Sequence, residues 1–110
     1  MSSDAPLGSF EEQVLLAVVR TADEAYGMRV RQELEQVTGR DVTIGAVYAT
    51  LDRLEAKGLV LSRRAAVDGL SRRVFALATR GARALAETRD MRDRLWQGVN
   101  LRAMLARGTA

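Results

Sequence analysis

Apolar positions in this chain follow a helical period up to residue 58 and a strand period just beyond it. The first helix is expected from about Phe10 to Arg20, where Ser9-Phe10-Glu11-Glu12 fits a capping box formed by Ser9 and Glu12. From Val14 to Val19 it reads VLLAVV, apolar on every side, and such a helix needs cover on more than one face. In so short a chain the extra cover would come from a second copy. Thr21 to Glu24 is a polar break. A second helix then spans Ala25 to Thr38, with Tyr26, Val30, Leu34 and Val37 on one stripe, Arg29/Glu33 and Arg31/Glu35 paired outside, and Gly39 at its end. After the short extended segment Asp41-Val42-Thr43, a third helix is capped by the Thr43 hydroxyl and closed at Gly58. Its apolar stripe is Ile44, Val47, Leu51 and Leu54.

Past Gly58 two strands are predicted, Leu59 to Arg64 and Arg72 to Leu77, with Ala65 to Ser71 between them carrying the turn signal Asp68-Gly69. Thr79 is a plausible N-cap for a last, long helix whose stripe runs Ala84, Leu85, Thr88, Met91, Leu95, Val99 and Ala103, with Trp96 at its edge. Arg89/Asp93 and Asp90/Arg94 are spaced to pair on the far side, and Gly98 sits inside the helix at a cost of about 1 kcal/mol. From Leu101 onward the apolar residues drift off the stripe. A domain this small cannot cover so long an apolar face, so self-association is expected. The fold class is mainly α with a small β-hairpin: a winged helix-turn-helix plus a long C-terminal dimerisation helix. The expected division is a tail (1–8), a winged helix-turn-helix domain (9–78) and the dimerisation helix (79–110).

Charge sharpens this picture. Residues 1–52 carry four basic and nine acidic side chains, whereas residues 53–110 carry thirteen basic and five acidic. Between Ser62 and Arg83 lie six arginines against Asp68 alone, a block that suits a polyanion. Because sixteen of the seventeen basic residues are arginine, the clustering says more than the arginine count. The absence of cysteine and histidine removes disulfides, thiol chemistry, histidine catalysis and the usual zinc, copper or iron sites, so no metal or cofactor is expected. No apolar run approaches the roughly 18 residues of a membrane span, and MSSDAPLGS lacks the regions of a secretory signal, so a cytoplasmic protein is expected. Glu11/Glu12 and Asp90/Asp93 are the nearest things to paired carboxylates, but each lies among arginines or on an exposed turn with no neighbouring base, which argues against an enzyme.

The third helix carries the candidate chemistry. Opposite its apolar stripe lie Gly45, Ala49 and Arg53, flanked by Ala46 and Tyr48. Small residues allow close approach to a major groove and contact with thymine methyls, and an arginine one turn on can meet charge or base edges. Thr43 and the first amides of the helix can hold a phosphate. Tyr48 is read as a backbone contact, with a core tyrosine as the competing reading. Arg53 either meets a phosphate or pairs with a neighbouring acid. Arg63, Arg64, Arg72 and Arg73 would take flanking phosphates or the minor groove. A protein-binding adaptor built on the same fold is the alternative, and it predicts no salt-dependent affinity for duplex DNA.

Assembled, these residues resemble the PadR family of bacterial transcriptional regulators. The similarity lies in LGSFEEQVLLAVVR, in EAYGMRVRQELEQVTGRDVTIGAVYATLDRLEAKGLV and in SRRVFALATRGARAL, with AYG and GAVYATLDRLEAKGLV the most specific parts. Two departures stand out: Arg80 follows Thr79 where the family usually has proline, and Val74-Phe75 replaces a tyrosine pair. The resemblance implies a winged helix that dimerises through its C-terminal helix, with cover from the partner's first helix; Val14, Leu15, Val18, Met91, Leu95 and Val99 are the interface positions it suggests. It also implies a repressor of double-stranded DNA targets, released in some members by small aromatic ligands at the dimer interface, where Trp96 is the candidate contact.

Overall fold

The computed structural model describes residues 6–108, so most of the expected tail lies outside the described residues. In chain order the elements are α1 (Ser9–Thr21), a 3-10 turn at Ala22–Glu24, α2 (Gly27–Thr38), α3 (Ile44–Ala56), β1 (Val60–Val67), β2 (Leu70–Leu77), α4 (Thr79–Trp96) and α5 (Leu101–Ala106). Three helices followed by an antiparallel ribbon make a winged helix, the order read from the sequence.

One core holds it together. Val14, Leu15 and Val18 from α1, Val30 from α2, Val47, Leu51 and Leu54 from α3, and Val60 and Phe75 from the ribbon are all sealed from solvent. Each such side chain contributes about 1.5–3 kcal/mol by leaving water. Around this core, Glu33 is buried under two arginines, Arg20 at 2.7 Å and Arg29 at 3.2 Å. Arg31 and Glu35 pair at 3.7 Å and together clasp the connection to α3: Arg31 donates to the Val42 carbonyl at 2.8 Å, and the Glu35 carboxylate accepts the Val42 amide hydrogen at 2.9 Å.

Several details depart from the sequence reading. The capping residue of α1 is Gly8, not Ser9, and its amide donates to Glu11 at 3.0 Å; Glu12 is then free to pair with Arg92 of α4 at 2.6 Å. Val14, Leu15 and Val18, expected at the interface, are instead buried in the subunit's own core; Leu16 and Val19 are the open apolar positions of α1. Val37 is exposed beside Leu16, over a shallow groove of about 280 Å³ between α1 and α2. The hairpin is longer than predicted, with eight residues in each strand and only Asp68-Gly69 in the loop, both at positive φ. That pair suits the tight turn whose twist matches the strands.

The C-terminal helix differs most. Its N-cap is Ala78, so Thr79 is the first helical residue rather than the cap. Gly98, at φ 79°, lies outside the helix: α4 stops at Trp96, and Asn100 starts α5 by accepting the Ala103 amide hydrogen at 3.0 Å. A left-handed backbone here relieves the cost of a helical glycine by ending the helix. Neither Arg89/Asp93 nor Asp90/Arg94 forms an ion pair among the described residues. At its other end α4 is clamped to the ribbon. The Ala78 amide donates to the Leu59 carbonyl at 3.0 Å, and a Cβ on Gly81 would stand 2.1 Å from that same oxygen.

Gly81→Ala should therefore destabilise the protein by at least about 1–3 kcal/mol, the usual range for overpacking, because backbone must move. Thermal unfolding checks it; a melting temperature equal to that of the unaltered protein would mean α4 docks differently.

Candidate nucleic-acid interface

Burial of Val47, Leu51 and Leu54 sets the rotation of α3 and turns its other face to solvent. Gly45, Ala46 and Ala49 are all exposed there, and a Cβ on Gly45 would meet nothing within 4 Å. The helix starts as expected, with the Thr43 hydroxyl accepting the Ala46 amide hydrogen at 3.1 Å. It ends in a Schellman arrangement around Gly58, in which Leu59 donates to Leu54 and Gly58 to Glu55, each at 2.9 Å.

Tyr48 lies between α2 and solvent. Its ring covers the bare backbone of Gly27, where a Cβ would sit 2.4 Å from Cζ, yet the residue remains 39% exposed. Arg53 projects from the same outer face, hydrogen-bonded to the Thr50 hydroxyl at 3.3 Å and 3.8 Å from the Glu11 carboxylate. The firmer partner of Glu11 is Lys57, at 2.9 Å.

The four wing arginines do not behave alike. Cross-strand pairing sets Arg64 opposite Arg73 on the ribbon face that looks toward α3, and Arg63 opposite Val74 on the reverse face, with Arg72. Arg63 and Arg64 are exposed, and neither makes an ion pair among the described residues. Arg72 lies with its guanidinium carbon 4.3 Å from the centroid of the Tyr26 ring. Arg73 is held by α3. It is not a free wing cation: it donates to Asp52 at 2.9 Å, to Glu55 and to the Ser62 hydroxyl at 3.3 Å, over the face of Phe75. Its charge is neutralised by α3, which lets Arg64 sit across from it without the penalty of facing like charges. The sequence contained this signal unread: Asp52 and Glu55, three apart, share one helix face turned toward an arginine-rich strand.

The remaining predicted positions lie apart from this face. Met91 is half-buried, Leu95 and Val99 are exposed, and Trp96, 55% exposed, borders a small hollow with Leu95, Val99 and Leu101. No group of histidine, cysteine, aspartate or glutamate among the described residues could hold a metal ion, and no described helix is long and apolar enough to cross a membrane.

Comparison with known proteins gives a consistent answer. Residues 15–87 match the model of the transcriptional regulator PadR-like family. The transcriptional regulator Rv3488 of Mycobacterium tuberculosis is 41% identical over 77 residues, which is 70% of this chain and 71% of that protein. Among solved structures, RosR of H. salinarum superposes with a TM-score of 0.65 at 25% identity, covering 93% of this chain and 88% of that one. A PadR family transcriptional regulator from Eggerthella lenta gives 0.64 at 25%, covering 77% and 75%.

Three carboxylates, two of them beside α3, titrate below the ordinary glutamate range. Glu11 is lowered chiefly by the hydrogen bond from Lys57, Glu33 by that from Arg20, and Glu55 by the Ser62 hydroxyl and then by Arg73. A depressed folded pKa means the unfolded chain binds more protons in acid. The stability from these pairs is thus complete above the ordinary value of about 4.3 and is lost as pH falls through the folded values. Glu11→Gln with Glu55→Gln should lower the urea midpoint at pH 7, and its deficit against the unaltered protein should shrink below about pH 4. A deficit independent of pH would show that the two carboxylates act by shape rather than charge.

Proposed function

The chain belongs to the PadR-like family of transcriptional regulators, DNA-binding proteins rather than enzymes, and on that premise we propose that it is a homodimeric repressor reading a pseudo-palindromic operator. The observation that carries this reading is the outer face of α3, bare at Gly45, Ala46 and Ala49, together with the exposed Arg63 and Arg64 of the ribbon, which form no ion pair among the described residues. In the major groove, the small side chains would let the helix axis approach base edges and thymine methyls. Thr43 and the neighbouring amides would take a phosphate at the helix start, and the Tyr48 hydroxyl and Arg53 would hold the backbone on either side. Arg63, Arg64 and Arg72 would meet flanking phosphates, while Arg73 keeps the ribbon at a fixed angle to α3.

Dimerisation is supported by the apolar surface the single chain leaves open. Leu95 is 70% exposed, and Trp96, Val99, Leu101 and Met104 stand beside it on the segment from the end of α4 into α5. A second copy would cover this surface together with Leu16 and Val19 of α1. Two copies related by a two-fold axis would present their α3 helices to half-sites one turn apart, about 10 base pairs. Trp96, in that interface, would offer its ring to a planar aromatic effector that shifts the two helices relative to each other.

Selection of bound duplexes from a random pool tests this directly, and a two-fold symmetric consensus is expected; a consensus without symmetry, or none, refutes the proposal. Arg63→Ala with Arg64→Ala should weaken binding to all sequences alike and reduce the slope of log affinity against log salt by about 2. An unchanged slope would take those residues off the DNA. For the effector, quenching or a shift of tryptophan emission is expected from at least one member of a panel of aromatic cations, and loss of that response in Trp96→Leu. A panel that leaves the emission unaltered would remove Trp96 from any binding role.

A further inference from the structure

Ala25, Tyr26 and Gly27 touch the ribbon and the third helix at once. The Ala25 carbonyl accepts the Phe75 amide hydrogen at 2.8 Å, and Tyr26 bridges Val74 in antiparallel fashion, adding a minimal third strand to the edge of β2. Cross-strand partners share a face, so the Tyr26 ring lies on the side of the ribbon that carries Arg72. The Arg72 guanidinium rests 4.3 Å from the ring centroid. Its Nε is buried with no hydrogen-bond partner among the described residues, so the ring rather than an acceptor holds the head group. One residue on, Gly27 opens α2 with no side chain, and the space is filled by Tyr48 of α3. A Cβ there would stand 2.4 Å from Cζ and 2.6 Å from the phenol oxygen, so the ring would have to leave.

We propose that Ala25-Tyr26-Gly27 is a positioning platform that fixes the Arg72 guanidinium and the Tyr48 phenol relative to each other, so that wing and reading helix meet a duplex already spaced. Tyr26 and Gly27 themselves need not touch DNA. They act through the two side chains they place, because groups held in their bound geometry lose less freedom on association. The idea rests on the reading above, that Tyr48 and Arg72 contact the duplex, and it adds residues outside the expected contact set.

A duplex selected by the unaltered protein, titrated at several salt concentrations, provides the test. Gly27→Ala and Tyr48→Ala should each weaken binding on the order of tenfold, the weight of one good polar contact. The double variant should be no weaker than Tyr48→Ala alone, since both changes remove the same ring from its place. Tyr26→Phe should keep the stack and the original salt slope, whereas Tyr26→Leu should lower the slope by as much as Arg72→Ala does, about 1. Additive losses in the Gly27/Tyr48 pair, or a Tyr26→Leu slope equal to that of the unaltered protein, overturn the platform. If Tyr48→Ala and Arg72→Ala both bind like the unaltered protein, the contact assignments fail first and the platform falls with them, a result distinct from the other two. Should Gly27→Ala fail to fold, as a melting curve will show, the Tyr26 series decides alone.

Discussion

Withdrawal of Val47, Leu51 and Leu54 from water fixes everything this protein presents to its surroundings. The three lie on one stripe of α3 and are completely covered by α1, α2 and the ribbon. A helix with one stripe so anchored cannot rotate about its axis without exposing apolar surface, at a cost that far exceeds any single surface contact. Gly45, Ala49 and Arg53 point outward as a geometric consequence. The outward face is therefore as rigid as the core behind it, although it contributes little to stability itself.

Charge is distributed around this anchored helix with a division of labour. Acids on α1 and α3 hold the cations that set angles: Glu11 takes Lys57, Glu12 takes Arg92, and Asp52 with Glu55 takes Arg73. The exposed Arg63 and Arg64 have no such acid among the described residues and keep their full field. Proximity to carboxylates, not the arginine count, separates the structural cations from those available to a polyanion. Half-exposed pairs of this kind contribute little energy individually, but they narrow the range of orientations open to the elements they join.

Local chemistry made much of this legible in the sequence. Thr43 and Gly58 bracket α3, Gly39 ends α2, and the change of period after Gly58 announces the ribbon; each of these signals acts within a few residues. What could not be read was tertiary. Gly8 rather than Ser9 is the cap because Glu11 takes its amide hydrogen, while Glu12 is held by the distant Arg92. The pairing of Arg73 needs the fold to bring residue 73 against residues 52 and 55. The roles of Gly27 and Gly81 depend on which side chain or carbonyl arrives opposite. For Gly98 two local rules competed: the apolar stripe continued through it, and the preference of glycine for a left-handed backbone prevailed, dividing one long helix into α4 and α5. The apolar run VLLAVV announced a helix needing cover, but only the packed chain distinguishes the covered Val14, Leu15 and Val18 from the open Leu16 and Val19.

The tight Asp68-Gly69 loop has an evolutionary corollary. With no slack at the tip, the ladder from Val60–Leu77 to Val67–Leu70 is locked in register, and side chains alternate strictly between the two faces. Gain or loss of one residue within either strand would carry Arg73 away from Asp52 and Glu55 and bring Phe75 out of the core, since a single-residue slip inverts every side chain beyond it. Related wings should accordingly differ in length by even steps or through bulges at the tip, and lineages that lengthen the ribbon by one residue must acquire a new clasp for the third helix.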